Sequence, residues 1–314
     1  MRGKLTASWK TGGLFALAAS TALAGMAGVA NAADILGIQN NASAGGGPIV
    51  TVDLTNQTPV NSFIPDNALN CSLGSCNGRG VEVLGNFVYY TELNGGFGPS
   101  DGIHVAPLNN GAGGADITSF PNPVPGTGVV DLAAAGGKLY AMTGYPDGPE
   151  VVQATDGNGN NIGPLVTLHT LAGGILTDSD GFTVLANGNW LINDGDAVNS
   201  YNQYDPTTGM EIAATNVIAH NASGVCADAT GVDNDAFLGG NSLYFDCNFN
   251  SIVQDDLSGN FIAATSTFPP GAEGEDISLV QEAPITPPIP EPASLSILGA
   301  ALVGFGLVRR RRSV

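Results

Sequence analysis

Carboxylates are the residues of this sequence that could do chemistry. The chain contains 28 Asp and Glu residues, against nine Lys and Arg and three His. Carboxylates on loops can bind divalent cations, hydrogen-bond sugar hydroxyls, or act in pairs as the acid and base that cleave glycosidic bonds. Phosphate binding, in contrast, needs clustered Lys and Arg. The composition therefore favours a cation or a glycan as ligand and excludes nucleic acid.

The stretch Asp156–Asn161 comes closest to calcium chemistry. An EF-hand loop has Gly at its sixth position and Glu at its twelfth, whereas these positions hold Asn161 and Thr167 here. The stretch is therefore predicted to form a β-turn. Asp178–Gly181 and Asp194–Asp196 are shorter acidic fragments. Calcium is kept as a candidate cofactor, without an assigned set of metal ligands.

Sequence motifs for nucleotide binding and for zinc-dependent hydrolysis are missing. The chain contains no P-loop or H-E-x-x-H motif. His169 and His220 stand 51 residues apart, which a repeat explains without any function. The catalytic alternative is a glycosidase or lyase that acts on extracellular polysaccharide, with Asp131 and Asp180 as its acid and base.

The elements that must position these residues are short strands that recur with a period near 51. Tyr89, Tyr140, Ile192 and Tyr244 lie in runs of β-forming residues and stand 51, 52 and 52 residues apart. A Gly- or Asn-containing turn signal precedes each run. These runs are predicted to be equivalent strands of an internal repeat.

A second series of strands follows the first. Its markers Gln153, Gln203 and Gln254 are separated by 50 and 51 residues, and each copy reads as strand, turn, strand. Four strands in a repeat of about 50 residues are typical of a β-propeller blade. We therefore predict an all-β propeller over residues 33–281, with five four-stranded blades. The alternative is an irregular two-sheet sandwich.

The two ends of this domain predict how the ring closes. Residues 33–64 supply three strands but lack a first one, and Glu275–Val280 is a first strand with nothing after it. Together they complete one blade, so that no sheet edge is left open. Residues 282–289 are rich in proline and are predicted to be a stiff linker.

The predicted propeller brings many acidic residues to one face. The starts of the first strands and the loops between second and third strands share that face, which would form a cation- or glycan-binding rim. The rim candidates are Glu82, Asp131, Asp178, Asp180, Asp194, Asp196 and Glu275, with Asp101, Asp147, Asp233, Asp235 and Asp276 nearby. A solvated acidic surface without a ligand is the alternative.

The N-terminus has the pattern of a signal peptide. Arg2, Lys4 and Lys10 precede an apolar helical stretch, and Ala30–Ala32 has the A-x-A form of a cleavage site. Residues 1–32 are therefore predicted to be removed by cleavage between Ala32 and Ala33.

The C-terminus combines a short motif, an apolar run and a basic cluster. Pro290, Glu291 and Pro292 precede 16 uncharged residues, 293–308, and then four arginines. As a helix, the run spans about 24 Å, and the arginines can reach the lipid head groups. By the positive-inside rule the arginines stay cytoplasmic and the body lies outside.

This tripartite tail, residues 290–314, resembles the PEP-CTERM sorting signal of Gram-negative bacteria. The resemblance implies that an exosortase is a partner, which cuts near the Pro-Glu-Pro motif and directs the protein from the inner membrane to the cell surface or the medium. It also implies a link with exopolysaccharide. A plain C-terminal membrane anchor is the alternative.

Removal of both ends leaves a strongly acidic body. Only Arg79 and Lys138 remain of the basic residues, against 27 acids in residues 33–283, a net charge of −25. Such a charge permits divalent cations, basic surfaces and neutral glycans as partners, and it also keeps a surface protein soluble.

Four cysteines lie in the exported body, an oxidising setting that favours two disulfides. Proximity in the sequence pairs Cys71 with Cys76 and Cys226 with Cys247. A zinc site is disfavoured, because no second close pair or neighbouring His completes the C-x4-C pattern. The expected protein is an exported, non-enzymatic binding or structural protein of the cell surface, and the polysaccharide-cleaving enzyme is the alternative.

Overall fold

The structure is a computed structural model of the chain. It describes residues 34–40, 42–43, 49–53, 58–63, 75–94, 100–108, 117–145, 148–193, 199–236, 240–248, 250–267 and 273–279. The signal peptide, the Pro-rich linker and the sorting tail predicted from the sequence lie outside these residues. Within them, no helix is long and apolar enough to cross a membrane.

All named elements of the described part are strands. In chain order they are β1 (Asp34–Asn40), β2 (Ala42–Ser43), β3 (Ile49–Asp53), β4 (Thr58–Phe63), β5 (Ser75–Leu84), β6 (Phe87–Asn94), β7 (Ser100–Pro107), β8 (Thr118–Phe120), β9 (Gly128–Ala135), β10 (Lys138–Tyr145), β11 (Val151–Thr155), β12 (Val166–Thr167), β13 (Phe182–Val184), β14 (Trp190–Asn193), β15 (Ser200–Tyr204), β16 (Val217–Ile218), β17 (His220–Asn221), β18 (Gly224–Val225), β19 (Ala229–Asn234), β20 (Ser242–Cys247), β21 (Ser251–Asp256), β22 (Phe261–Thr267) and β23 (Glu273–Leu279).

These strands form antiparallel sheets in a propeller-like arrangement. Sheet 1 has the order β23-β1-β3-β4, sheet 3 consists of β9 to β12, sheet 4 of β13 to β16 and sheet 5 of β19 to β22. Sheet 2 has five strands, β2-β5-β6-β7-β8, and β17 pairs with β18 in a separate hairpin. The sequence predicts five four-stranded blades. The structure has four sheets of four strands, and sheet 2 has an additional fifth strand, β2, beside β5.

The inner strands of the sheets close into a ring. β23 contacts β5, β5 contacts β9, β9 contacts β13, β13 contacts β19, and β19 returns to β23. In sheet 1, β23 pairs with β1, with Ile35 opposite Leu279 and Gly37 opposite Ile277. The N-terminal and C-terminal strands thus share one sheet, as the sequence predicted.

Local sequence explains why the strands turn where they do. The hairpin between β9 and β10 turns at Gly136 and Gly137, which both have positive φ angles, 62° and 71°. A two-residue turn with two left-handed residues matches the twist of the flanking strands, and Gly adopts this conformation at no steric cost.

The outer strands of sheets 3 and 4 are shorter than expected. The strand-turn-strand copies that contain Gln153 and Gln203 predict second strands over residues 164–168 and 212–218, whereas β12 and β16 have two residues each. In sheet 4 the Gln203 N–H donates to the hydroxyl of Thr215, and that hydroxyl donates to the Ile212 carbonyl. The Thr215 side chain thus bonds two backbone groups that would otherwise be available for strand pairing.

The hydrophobic core lies in layers between neighbouring sheets. Between sheets 3 and 4, the ring of Trp190 packs edge-on against Phe182 and Tyr140, with centroids 6.0 and 6.2 Å away. Between sheets 4 and 5, Tyr201 packs on Phe245 at 4.9 Å. Because both faces of a sheet are covered, β9 is buried at every position and shows no polar-apolar alternation.

Candidate functional site in the central channel

Buried carboxylates on the inner strands join neighbouring sheets. Asp131 on β9 accepts the N–H of Leu132 at 2.6 Å and the N–H of Phe182 on β13. Asp276 on β23 accepts the N–H of Val81 on β5 at 2.7 Å and that of its own following residue. Each carboxylate thereby connects two first strands whose edges have no ladder partner at that point.

Glu82 and Asp233 make the same kind of connection two residues further along their strands. Glu82 accepts the N–H of Ala134 on β9 at 3.0 Å, and Asp233 accepts the N–H of Leu279 on β23 at 2.8 Å. The hydroxyl of Thr183 on β13 donates to Asp233 at 3.1 Å. We call Glu82, Asp131, Asp233 and Asp276 the carboxylate belt.

Two members of the belt share a hydrogen bond. The carboxyls of Asp131 and Asp276 are hydrogen-bonded to each other, so one of the two is protonated. Burial raises the pKa of Asp131 well above its usual range, and it raises the pKa of Asp276 to about 8. Burial also raises the pKa of Asp233 to about 6. The belt therefore holds protons at a pH where exposed carboxyls have lost them.

Glycines let the inner strands approach closely enough for these bonds. A Cβ on Gly80 would lie 2.9 Å from the Leu132 nitrogen, and one on Gly231 would lie 2.6 Å from the Cα of Asp276. Both distances are too short for a side chain at either position. The alternation of Gly and Asp at this level of the channel is thus a packing requirement.

An arginine lies at the next level of the channel. Arg79 on β5 forms ion pairs with Glu275 on β23 at 3.0 Å and with Asp180, just before β13, at 3.4 Å. Because β9 stands between β5 and β13 in the ring, the second pair reaches beyond the neighbouring sheet. Burial raises the pKa of Asp180, and Arg79 opposes that shift.

Asp246 is the least satisfied carboxylate of the channel. Its side chain is 0% exposed, and neither oxygen has a hydrogen-bond partner among the described residues. It lies on β20 where the register of β19 shifts between Ala229 and Val232, and the buried hydroxyl of Thr230 in this bulge also lacks a partner. Burial first, and then Glu275, raise the pKa of Asp246 well above its usual range.

Glu150 is a second buried carboxyl beside the channel. Its Oε1 accepts the N–H of Ser179 at 3.4 Å, and its Oε2 and the Ser179 hydroxyl have no partner in the described part of the chain. Burial raises the pKa of Glu150 to about 8. Sequence reasoning missed Asp246 and Glu150, because a lone acid inside a second strand or before a third strand has no distinguishing spacing.

The predicted rim residues do not lie together on one exposed face. Glu82, Asp131 and Glu275 are 2%, 0% and 3% exposed and lie inside the channel. Asp178 is exposed and Asp180 is half-buried. Asp194 and Asp196 lie outside the described residues, as do Asp147 and the cleavage and sorting motifs. The physical reason is that Glu82 and Asp131 accept backbone N–H groups of neighbouring inner strands, while Glu275 is paired with Arg79.

The Asp156 loop follows β11 and bends at residues 157–159, where the sequence predicts a β-turn. Asp156 accepts the backbone N–H groups of Asn158 and Asn160 and the Asn160 side-chain amide at 2.8 Å. These bonds lower the pKa of Asp156. Asp256 at the end of β21, in sheet 5, makes the same contacts with Asn260. Among all described residues, no three His, Cys, Asp or Glu side chains converge as they would around a metal ion.

The predicted disulfide between Cys226 and Cys247 is present. It joins the residue just before the β19 segment to the end of β20, and both cysteines are buried in the layer between sheets 4 and 5. Cys71 lies outside the described residues, so its predicted bridge to Cys76 stays a prediction. The histidines do not form a common site: His104 stacks on Tyr90, and His220 lies near Asp255.

The fold and the channel define an all-β, propeller-like body that is held together by buried carboxylates. Residues 288–312, beyond that body, match the family model of the PEP-CTERM protein-sorting motif. The chain thus carries a PEP-CTERM motif, which indicates exosortase-dependent sorting to the cell surface by way of a membrane-anchored precursor. The match covers the tail and not the body.

Three solved structures to which the body is similar share little sequence with it. The major allergen Mala s 1 of Malassezia sympodialis has a TM-score of 0.45 and 13% identity, covering 71% of this chain and 73% of the allergen. A 6-phosphogluconolactonase candidate from Bacteroides uniformis has a TM-score of 0.38 and 12% identity, covering 75% and 68%. The computationally designed Ika8 protein has a TM-score of 0.35 and 12% identity, covering 73% and 62%. No curated protein matches the sequence.

Proposed function

We propose that this protein is an exosortase substrate whose propeller-like body is displayed on, or released from, the cell surface and binds extracellular polysaccharide without cleaving it. The PEP-CTERM motif at residues 288–312 carries the first half of this proposal. The body then works outside the cell, where polysaccharide is the abundant neutral or acidic polymer and where a disulfide persists.

The chemistry of the channel supports a binding role over a catalytic one. An acid and base for glycoside cleavage must reach the scissile bond from opposite sides. Asp131 is fully buried, and each of its oxygens accepts a backbone N–H. The Asp131 carboxyl therefore has a structural role, which is to join β9 to β13. Asp180 is half-buried and paired with Arg79.

The charge of the body suggests how a polymer would be held. With a net charge of −25 for residues 33–283, an acidic polysaccharide would be repelled unless cations screen or bridge the carboxylates. Calcium suits this role, because it accepts carboxylate and hydroxyl oxygens in flexible geometry. The exposed acids outside the belt are the groups available for it.

A polysaccharide panel tests the proposal. The purified protein is incubated with neutral and acidic polysaccharides, with calcium or with a chelator, and both retention and release of reducing ends are measured. We expect calcium-dependent retention and no new reducing ends. Product formation that Asp180→Asn abolishes and Asp178→Asn leaves intact would establish the enzyme instead.

A further inference from the structure

A cavity of about 230 Å³ lies between sheets 4 and 5, away from the channel. Leu185, Leu191 and Leu243 form part of its buried apolar floor, and Asn187, Gln203 and Asn241 contribute amides to its lining. None of the described residues that line it is charged. An apolar cavity of about 150 Å³ can hold benzene, so this one has room for a group of about nine non-hydrogen atoms.

The amide of Gln203 is held in one orientation. Its Oε1 accepts the side-chain amides of Asn189 at 2.8 Å and Asn187 at 3.4 Å. Asn187 is itself oriented, because its Oδ1 accepts the N–H of Asn189 at 3.0 Å. Since two NH₂ groups converge on one atom of Gln203, that atom must be the oxygen. The Nε2 of Gln203 donates no hydrogen bond within the described residues.

In the equivalent glutamines of the neighbouring repeats, the side-chain Nε2 donates hydrogen bonds within the protein. Gln153 in sheet 3 donates to the carbonyls of Ala154 and Gly163, both at 3.0 Å. Gln254 in sheet 5 donates to the Ser242 hydroxyl at 2.9 Å. All three glutamines lie on third strands that pair with second strands. Of these three, Gln203 alone combines an unused donor with an adjoining apolar cavity.

We propose that this cavity binds a neutral acyl-type group, an apolar body that carries one carbonyl oxygen. The leucine floor buries the apolar part, and the Gln203 Nε2 donates to the oxygen. A charged group is disfavoured, because no lining side chain would compensate its desolvation. The proposal requires neither calcium nor polysaccharide, so it stands apart from the function proposed above.

Two nearly isosteric probes test the hydrogen bond. Acetophenone has the carbonyl oxygen, and α-methylstyrene has a CH₂ group in its place. Binding of each to the purified full chain is measured by titration calorimetry and ligand-observed NMR. We expect saturable binding of both, with acetophenone tighter by roughly five- to tenfold, the effect of one neutral hydrogen bond.

Three variants locate the site. Gln203→Met should remove the difference between the probes, whereas Gln254→Met at the equivalent position of sheet 5 should leave it unchanged. Ala186→Phe, at an exposed position of the lining, should fill the mouth and abolish binding of both without lowering the unfolding temperature. No saturable binding, equal affinity for the two probes, or binding that survives Ala186→Phe would overturn the proposal.

Discussion

At the scale of residues, the belt carboxylates act as connectors between strands. Asp131 presents two oxygens to two backbone N–H groups and shares a proton with Asp276. An unpaired N–H in this buried place would cost the full desolvation of that group. Acidic residues near the starts of first strands are thus explained by the ring itself, before any ligand is considered.

We predict that Asp131→Asn destabilises the protein. The amide has one acceptor atom where the carboxyl has two, so an NH₂ group must face a backbone N–H. Urea unfolding should show a loss of about 1–3 kcal/mol in the free energy of unfolding. Asp178→Asn, at an exposed position that Asn tolerates because its φ is 65°, is the matched control and should change stability little. Equal stability of the two variants would contradict the role of the belt.

The sequence could predict the strands better than it could predict what their side chains do. The Gly136-Gly137 turn and the spacing of Tyr89, Tyr140 and Tyr244 indicate the second strands from sequence alone. The ion pair of Arg79 with Glu275 could not be predicted, since Glu275 is 196 residues away and meets Arg79 only through closure of the ring. Similarly, β9 is buried at every position, so no alternation reveals which way Asp131 points.

At the scale of elements, the disulfide constrains the entry into sheet 5. Cys226 and Cys247 are separated by 21 residues, and both are buried beside Tyr201 and Phe245. The bridge fixes the segment before β19 against the end of β20, close to the bulge that contains Thr230. This connection holds the strand that carries Asp233 in its place in the belt.

We predict that replacing both cysteines, Cys226→Ala with Cys247→Ala, lowers the free energy of unfolding by about 2 to 5 kcal/mol. The physical reason is the greater freedom of the unfolded chain when a 21-residue separation is no longer closed. Peptide mapping without reductant checks the native bridge, and calorimetry gives the change. A free thiol at either position of the native protein would contradict the assignment.

At the scale of the whole molecule, buried protonated carboxyls link stability to pH. Burial raises the pKa values of Asp276 and Glu150 to about 8, while the unfolded chain titrates near pH 4. Between these values the folded protein binds more protons than the unfolded one. Their contribution to stability is therefore complete below about pH 4 and is lost as the pH rises through 8.

We accordingly predict that the protein unfolds more readily at pH 9 than at pH 5. Each proton that the protein releases on unfolding changes the free energy of unfolding by about 1.4 kcal/mol per pH unit in this range. Repulsion among the acids of the body acts in the same direction. Thermal unfolding between pH 4 and 9 measures the slope of stability against pH, and a stability that rises toward pH 9 would refute the prediction.

The variant Glu150→Gln removes one of these titrating groups. It should reduce the slope by about 1.4 kcal/mol per pH unit, the contribution of one proton.

Mass spectrometry of the mature protein, in cells that contain an exosortase, tests most directly whether this body is delivered to the cell surface. We expect an N-terminus at Ala33 and a C-terminus near Pro290, with the apolar run and the arginines removed. In cells that lack the exosortase, the tail should remain attached and the protein should stay in the inner membrane. A mature surface protein that still carries Arg309–Arg312 would contradict processing of the tail.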